Sequence, residues 1–355
     1  MSRSFDAALN MLAARATQVL AFHRITCDSV RSDQRIAHFT SWTACLEMLE
    51  QAVRENYRRK ARGEPDLAFP LELWASDVSC LNDTLEGKAL RSFAHQAATE
   101  GTQNHEAPAY VTGQWLRDHS SAGNDCPFLT VAEWKELDTN LTALDPDRPE
   151  LPVGISEPVY INSGKDYLIS FCREYDRLDL WRAYADKAEG VSLAMSIHEA
   201  LDGLAALGDQ SWGLFQVAYG DRAKTRALVL LREPLKRVAA HIRRIKDKDA
   251  KAQAVSEALK RLSLLPYLFK HEQFRTEQEI RLIPLVPKEG EIELPGNLAR
   301  AVVKTGRFFL SCNSTVTLGP RCPERNNRTA VLGVRLRQLF GDNAPPVKHS
   351  TIPYQ

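Results

Sequence analysis

The chain has 355 residues, of which 44% are hydrophobic and 26% charged, and its formal net charge is +1. These proportions are ordinary for a globular protein, and the balanced charge gives the whole chain no bias toward nucleic acid or membranes. Seven scattered cysteines without a CxxC pair argue against a disulfide framework and a zinc site. We therefore expect buried thiols in a cytoplasmic protein that holds no metal.

The N-terminal segment predicts an amphipathic helix, because Arg15 and Thr17 interrupt its apolar run. No apolar run in the chain reaches the roughly 18 residues that a membrane span needs. A second helix is predicted over 42–57, where apolar residues recur every three or four positions after Ser41, a plausible N-cap. A strand is predicted at 71–75, followed by a polar turn.

Residues 88–165 are less regular and include a loop rich in Pro and Asp. We interpret this stretch as an insertion or helical subdomain. Residues 1–87 would then form the N-terminal part of the core, and residues 166–355 its C-terminal part.

Beyond residue 166 the pattern changes to short segments rich in β-forming residues. A helical region interrupts them over 221–264, with a break or kink expected near Pro234. This irregular alternation predicts an α+β fold, with a mixed or antiparallel central sheet and flanking helices. The predicted strands are 167–172, 190–196, 214–219, 279–286, 307–310 and 316–318.

One segment is locally basic. Residues 221–281 hold 16 Lys and Arg against 8 Asp and Glu, which could form a face for phosphate or nucleic acid. The plainer interpretation is a solvated helix surface, since Lys and Asp alternate at 246–249.

Two short polar motifs stand in the first third of the chain. In a strand, His38 and Thr40 would share one face and could hold sugar hydroxyls or an amide. The alternative is a buried histidine bonded to the backbone. Asn82, Asp83 and Glu86 could place an amide and carboxylates at the rim of a cleft, or could serve as turn and helix-capping residues.

The third motif begins with Ser170, at the end of a predicted strand. Trp181 and Tyr184 follow at a spacing that puts them on one helix face. They could line a pocket for a flat ring, or simply belong to the core. Gly190 is expected to end this helix.

The fourth motif is charged. If residues 277–281 are extended, Glu277, Glu279 and Arg281 share a face, where charges are costly unless paired or solvated. A carboxylate here could bind a ribose hydroxyl or stabilise an oxocarbenium ion. Arg281 could form an ion pair with Glu279, and a salt-bridge ladder on an edge strand is the structural alternative. The sequence lacks GxSxG, GxxxxGK[ST], HExxH and GxGxxG, which disfavours the corresponding enzyme classes.

Taken in order, these motifs resemble a bacterial domain family of unknown function, which is similar to abortive-infection proteins of phage defence. Two positions depart from the family pattern, where Thr84 replaces Pro and Cys172 replaces Ser. The motifs stand here as His38-Phe39-Thr40, Asn82-Asp83-Thr84-Leu85-Glu86, Ser170-Phe171-Cys172 with Trp181, Tyr184-Ala185 and Gly190, Lys270-His271 with Phe274, Glu277-Gln278-Glu279-Ile280-Arg281, and Ser350-Thr351-Ile352-Pro353-Tyr354.

The motif order also resembles that of ADP-ribosyltransferases. This resemblance implies NAD as substrate, with His38 orienting the nicotinamide ribose, Ser170 supporting the pocket and Glu279 stabilising the oxocarbenium-like state. Glu277 would orient the acceptor, and Trp181 or Tyr184 would stack on nicotinamide. Further candidate ligand-binding residues are Thr40, Asn82, Asp83, Glu86 and Arg281.

Three hypotheses follow. The first is an NAD-consuming transferase or glycohydrolase of bacterial defence or toxicity, with a macromolecular acceptor or water. The second is a non-catalytic sensor that binds a phage or host protein. The third is a nucleic-acid-acting protein that uses the basic segment 221–281.

Overall fold

The computed structural model describes residues 3–31, 33–63, 71–77, 93–96, 98–99, 131–144, 167–174, 176–206, 212–262, 264–285, 292–293, 302–308 and 310–354. The predicted ligand-binding residues Asn82, Asp83 and Glu86 lie outside them. In chain order the helices and strands are α1 (Arg3–His23), β1 (Arg35–Thr40), α2 (Trp42–Ala61), β2 (Leu71–Asp77), α3 (Val131–Thr142), β3 (Tyr167–Cys172), α4 (Leu178–Tyr184), β4 (Val191–Ser196), α5 (Ile197–Ala206), β5 (Trp212–Gln216), α6 (Asp221–Arg244), α7 (Lys248–Leu262), β6 (Glu279–Pro284), β7 (Ile292–Glu293), β8 (Val302–Phe308), β9 (Thr315–Leu318), α8 (Arg325–Phe340) and β10 (Val347–His349).

The chain divides into two compact units. The helical unit comprises Met1–His23, Asn82–Asp166 and Val217–Arg275, and the sheet unit comprises Arg24–Leu81, Tyr167–Gln216 and Thr276–Gln355. The stretch predicted as a helical subdomain thus belongs to a unit that also takes in the first helix and most of the basic segment.

In the helical unit, α1 packs against α6 and α7, and α3 packs against α6. Apolar side chains fill these contacts, among them the fully buried Leu12. The predicted break at Pro234 is wrong, because α6 continues through that residue to Arg244. The chain breaks later, where Asp247 accepts a hydrogen bond from the Ala250 amide and begins α7.

The sheet unit confirms the predicted α+β class with a mixed sheet. Its described strands lie in the order β10-β9-β4-β1-β3-β2-β8-β7, and β6 joins the sheet between β3 and β5. Among these pairs only β9 and β10 run parallel. The prediction for β3 matches residue for residue. The predicted strand at 214–219 instead ends at Gln216, because Ala218 pairs with Phe269 in the helical unit.

The second helix confirms its predicted cap, since the Ser41 hydroxyl accepts a hydrogen bond from the Ala44 amide at 3.1 Å. Gly190 has a different role from the expected helix stop. α4 already ends at Tyr184, and residues 186–188 take positive φ angles. A Cβ atom at Gly190 would lie 2.2 Å from the Thr40 carbonyl oxygen, so this close approach requires glycine.

Strand alternation gives the sheet two distinct faces. Ile36, Phe171 and Ile280 belong to the larger apolar cluster, which also takes in side chains of α2, α5 and α8. Phe39 and Cys172 belong to a smaller cluster that includes Leu180 and Trp181 of α4. We call these the large-core face and the α4 face. Among the described helices, none combines the length and the apolar character of a membrane span.

Candidate active site

Three polar side chains meet on β3 and β6. Ser170 lies opposite Arg281 and Cys172 lies opposite Glu279 in the antiparallel register, so the polar side chains project from one face of the sheet. The Ser170 hydroxyl donates to Glu279 Oε1 at 2.5 Å. The Arg281 guanidinium donates from Nε to Glu279 Oε1 and from Nη2 to Glu279 Oε2, both at 2.8 Å. This bidentate pair fixes the orientation of the carboxylate.

The cluster combines a buried ion pair with a part-buried serine. Arg281 is 0% and Glu279 is 3% exposed. Ser170 is the one residue of β3 that is not buried. A polar side chain in the middle of a buried strand therefore has access to solvent, and it bonds directly to a carboxylate in the interior. An oriented carboxylate next to a partly exposed serine is suited to stabilising a positive charge that develops on a bound ligand.

Glu277 forms a second polar pair with Tyr184. It does not share a strand with Glu279, as the extended interpretation assumed, because it ends a 3₁₀ turn at Glu272–Glu277. Gln278 then takes a φ of 45°, and β6 begins one residue later. The Tyr184 hydroxyl donates to Glu277 Oε1 at 2.7 Å. Burial raises the pKa of the Tyr184 phenol, and the Glu277 charge and hydrogen bond raise this pKa further.

His38 lies on the other face of the sheet from Ser170. Ala37 is the register partner of Cys172 on the α4 face, so the next residue, His38, projects toward the large-core face. There its ring makes an edge contact with Phe171 at 5.9 Å. Its Nδ1 lies 3.1 Å from the Ser170 carbonyl oxygen. Because a carbonyl only accepts, Nδ1 carries the proton in this hydrogen bond.

Thr40 and Trp181 are both buried. Thr40 shares the face of His38 and is buried. Trp181 is on the α4 face but is 0% exposed, with its ring edge-on against Phe39 and its indole N–H donating to Asp176. We therefore assign Trp181 to the core rather than to a stacking wall. Tyr184, which is half-buried, is the aromatic candidate that remains.

Arg281 has a different role from the predicted ligand contact. Its guanidinium is fully buried and bound to Glu279. Arg281 therefore holds the carboxylate in place and does not face a ligand.

Sequence reasoning missed two residues that organise this region. Asp176 accepts hydrogen bonds from Trp181, Ser350 and Thr351. Arg177 donates to the Thr276 carbonyl, directly before Glu277. The Ser350-Thr351-Ile352-Pro353-Tyr354 motif gave a weak signal for Asp176, because its Ser and Thr hydroxyls require hydrogen-bond partners. Within the described part of the chain, no group of three or more His, Cys, Asp or Glu could hold a metal ion.

Comparison with known proteins finds a family match over part of the chain. The profile of a family described as "Protein of unknown function (DUF2971)" matches residues 180–282. The match covers Trp181, Tyr184, Glu277, Glu279 and Arg281, and it stops short of His38 and Ser170. No curated protein matches the chain, and no solved structure does.

Proposed function

We propose that this chain is an NAD-using enzyme resembling ADP-ribosyltransferases, with Ser170 and Glu279 in its active site, acting in bacterial defence or toxicity. The observation that carries the proposal is the hydrogen bond from the hydroxyl of the part-buried Ser170 to the buried Glu279 carboxylate. It joins a serine of a middle strand to the second glutamate of a late Glu-x-Glu, which is the pairing that the motif resemblance implies.

The proposed reaction breaks the bond between nicotinamide and ribose. The electron pair of that bond leaves with nicotinamide, and positive charge develops on the ribose. The Glu279 carboxylate, held by Arg281 and Ser170, stabilises this charge. A nucleophile from the acceptor, or water, then bonds to the ribose carbon and releases its proton. Oriented groups of this kind are typically worth about 10²–10³ in rate.

Glu277 and His38 have supporting roles in this step. Glu277, held by Tyr184 at 2.7 Å, orients the acceptor. His38 is a positioning residue in this proposal, because its Nδ1–H bonds the Ser170 carbonyl from the far side of the sheet. The positions of the His38 ring and of the Ser170 hydroxyl therefore both depend on the distance between β1 and β3.

Mass spectrometry of NAD incubated with the purified chain tests the proposal. Parallel samples contain lysate from uninfected and phage-infected bacteria, so that an acceptor or trigger is supplied. We expect release of nicotinamide, with ADP-ribose found either free or attached to a macromolecule. NAD that stays intact in every sample, with a chain shown to be folded by circular dichroism, would contradict the proposal.

A non-catalytic sensor is the second candidate. The observation that favours it is the near-complete burial of Glu279 and Arg281, which satisfy each other. In this case the pair serves only the fold. The wild-type chain would then leave NAD intact, and Ser170→Ala, which leaves the pair intact, would not change any response to phage lysate.

The nucleic-acid hypothesis has less support. Several basic side chains of α6 bind partners on α3, where Arg232 pairs with Glu133, Lys236 pairs with Glu136 at 2.8 Å, and Arg243 donates to Asn140 at 2.6 Å. These pairs use positive charge to hold two helices together. If the segment bound nucleic acid, affinity would fall steeply with salt, and charge reversal of Arg243, Arg244 and Lys246 would abolish it. Binding retained after that reversal would count against this hypothesis.

A further inference from the structure

The Ser350-Thr351-Ile352-Pro353-Tyr354 motif has no role in the reaction proposed above, and its contacts are specific. We call these five residues the strap. The strap follows β10 directly, and the Ser350 amide donates to the Leu318 carbonyl at 2.8 Å. Its start is therefore fixed to the sheet through β9.

Asp176 is the main attachment point of the strap. Its Oδ1 accepts from the Ser350 hydroxyl at 2.6 Å, and its Oδ2 accepts from the Thr351 amide at 3.2 Å and the Thr351 hydroxyl at 3.3 Å. The same Oδ1 accepts from the Trp181 indole at 2.8 Å. One carboxylate thus joins the strap to α4, and hydrogen bonds to a charged acceptor are among the stronger ones.

Tyr354 provides a second attachment. Its ring lies 5.0 Å from the Arg182 guanidinium of α4 and 5.3 Å from that of Arg321, which follows β9. Hydrogen bonding by Arg182, and then by Arg321, lowers the pKa of the Tyr354 phenol. Ile352 and Tyr354 also pack against the apolar cluster that contains α4. The strap therefore holds α4 at both of its ends.

The ends of α4 also contact the turn that carries Glu277. Arg177, the residue before α4, donates to the Thr276 carbonyl and is itself paired with Asp179. Tyr184, the last residue of α4, donates to the Glu277 carboxylate. Both ends of the short helix thus contact two consecutive residues of the turn.

We propose that the strap positions Glu277 by fixing α4 through Asp176. Ser350, Thr351 and Asp176 are positioning residues, since they act on Glu277 through α4. The predicted effect on the orientation of the acceptor rests on the proposed function. The predicted effect on the position of Glu277 does not, so either effect can be disproved without the other.

Amide hydrogen exchange followed by mass spectrometry tests the structural part on the full chain. Thr351→Val with Ser350→Ala removes two hydroxyl donors to Asp176. Ser350→Ala with Thr351→Ser retains one of them and should rescue in part. Thr225→Val is the matched control, because the Thr225 hydroxyl bonds only within its own helix, at the Asp221 carbonyl.

We expect exchange in 177–185 and 276–278 to accelerate about tenfold or more in the double variant, with peptides of β4 unchanged. Asp176→Asn should give the same pattern. Acceleration confined to 350–354, or spread equally over β4, would overturn the inference. If the chain releases nicotinamide, the double variant should lower the ratio of transfer to hydrolysis while nicotinamide release stays near the wild-type rate. An unchanged ratio would contradict the catalytic part alone.

Discussion

The His38 imidazole lies across the sheet from the Ser170 hydroxyl, yet its Nδ1 is 3.1 Å from the Ser170 carbonyl oxygen. The two strands share a single register pair, Ala37 with Cys172. Next to that pair, the histidine ring donates where a backbone N–H of a regular ladder would otherwise donate. The His38 imidazole and the Ser170 hydroxyl are therefore linked through the backbone of Ser170 and not through a shared ligand.

Substitutions of His38 separate positioning from substrate contact. The side-chain amide of His38→Asn can place an N–H close to that of Nδ1, whereas His38→Leu leaves the Ser170 carbonyl without this donor. We expect urea unfolding to show a loss of about 1–3 kcal/mol for His38→Leu and a smaller loss for His38→Asn. If His38 only positions Ser170, His38→Asn also retains NAD turnover. Turnover lost in His38→Asn with stability retained would mean that the ring contacts the substrate.

The buried ion pair predicts a large and non-additive effect on stability. Glu279→Gln leaves the fully buried Arg281 without its anionic partner, which typically costs about 3–5 kcal/mol in the free energy of unfolding. The double variant Glu279→Leu with Arg281→Met removes both charges and should be more stable than Glu279→Gln alone. Glu272→Gln, at an exposed pair with Arg275, is the control and should cost under about 1 kcal/mol. A double variant less stable than Glu279→Gln would show that the pair itself stabilises the fold.

The raised pKa of Tyr184 predicts a loss of stability at high pH. In the unfolded chain the phenol releases its proton near pH 10, whereas in the folded chain it keeps the proton to higher pH. The folded state then binds more protons, so the free energy of unfolding falls as pH rises above about 10, by up to about 1.4 kcal/mol per pH unit. Tyr184→Phe should remove this part of the decline between pH 8 and 11. The exposed Tyr57→Phe is the control, and equal slopes in both variants would contradict the prediction.

Cys45 is expected to resist alkylation in the native state. Complete burial raises the pKa of its thiol to about 12, so at pH 8 its reactive thiolate is about 10³-fold less populated than for an ordinary thiol. Iodoacetamide labelling with peptide mapping should modify the exposed Cys27 and Cys312 first. In urea all three should react at similar rates. Native labelling of Cys45 as fast as that of Cys27 would contradict its placement in the core.

The sequence was informative where the signal is local. The content of β-forming residues predicted β3, and the spacing after Ser41 predicted α2. The face on which His38 lies depends on a long-range register, which the pattern of one strand does not contain. The 3₁₀ turn that ends at Glu277 was missed because it is separated from β6 by a single residue, Gln278, whose φ angle is positive. α8 was missed although Leu332, Leu336 and Leu339 recur at helical spacing, since polar residues dominate the rest of the segment.

The alternatives for the charged motif were resolved in part. The predicted ion pair between Glu279 and Arg281 is present, in the interior rather than on an edge strand. Because β6 pairs with both β3 and β5, its charges needed internal partners. A single sequence gave no way to know that Ser170 would supply the third member of the cluster.

The rate of nicotinamide release from NAD by Ser170→Ala and Glu279→Gln tests the central claim most directly. Each variant is assayed at a temperature where circular dichroism shows it folded, next to Glu199→Gln, which alters a part-buried carboxylate bonded to Ser311. We expect Glu279→Gln to lose about 10²–10³-fold, Ser170→Ala to lose activity with the ion pair intact, and Glu199→Gln to match wild type. Full NAD turnover by folded Glu279→Gln would contradict the claim.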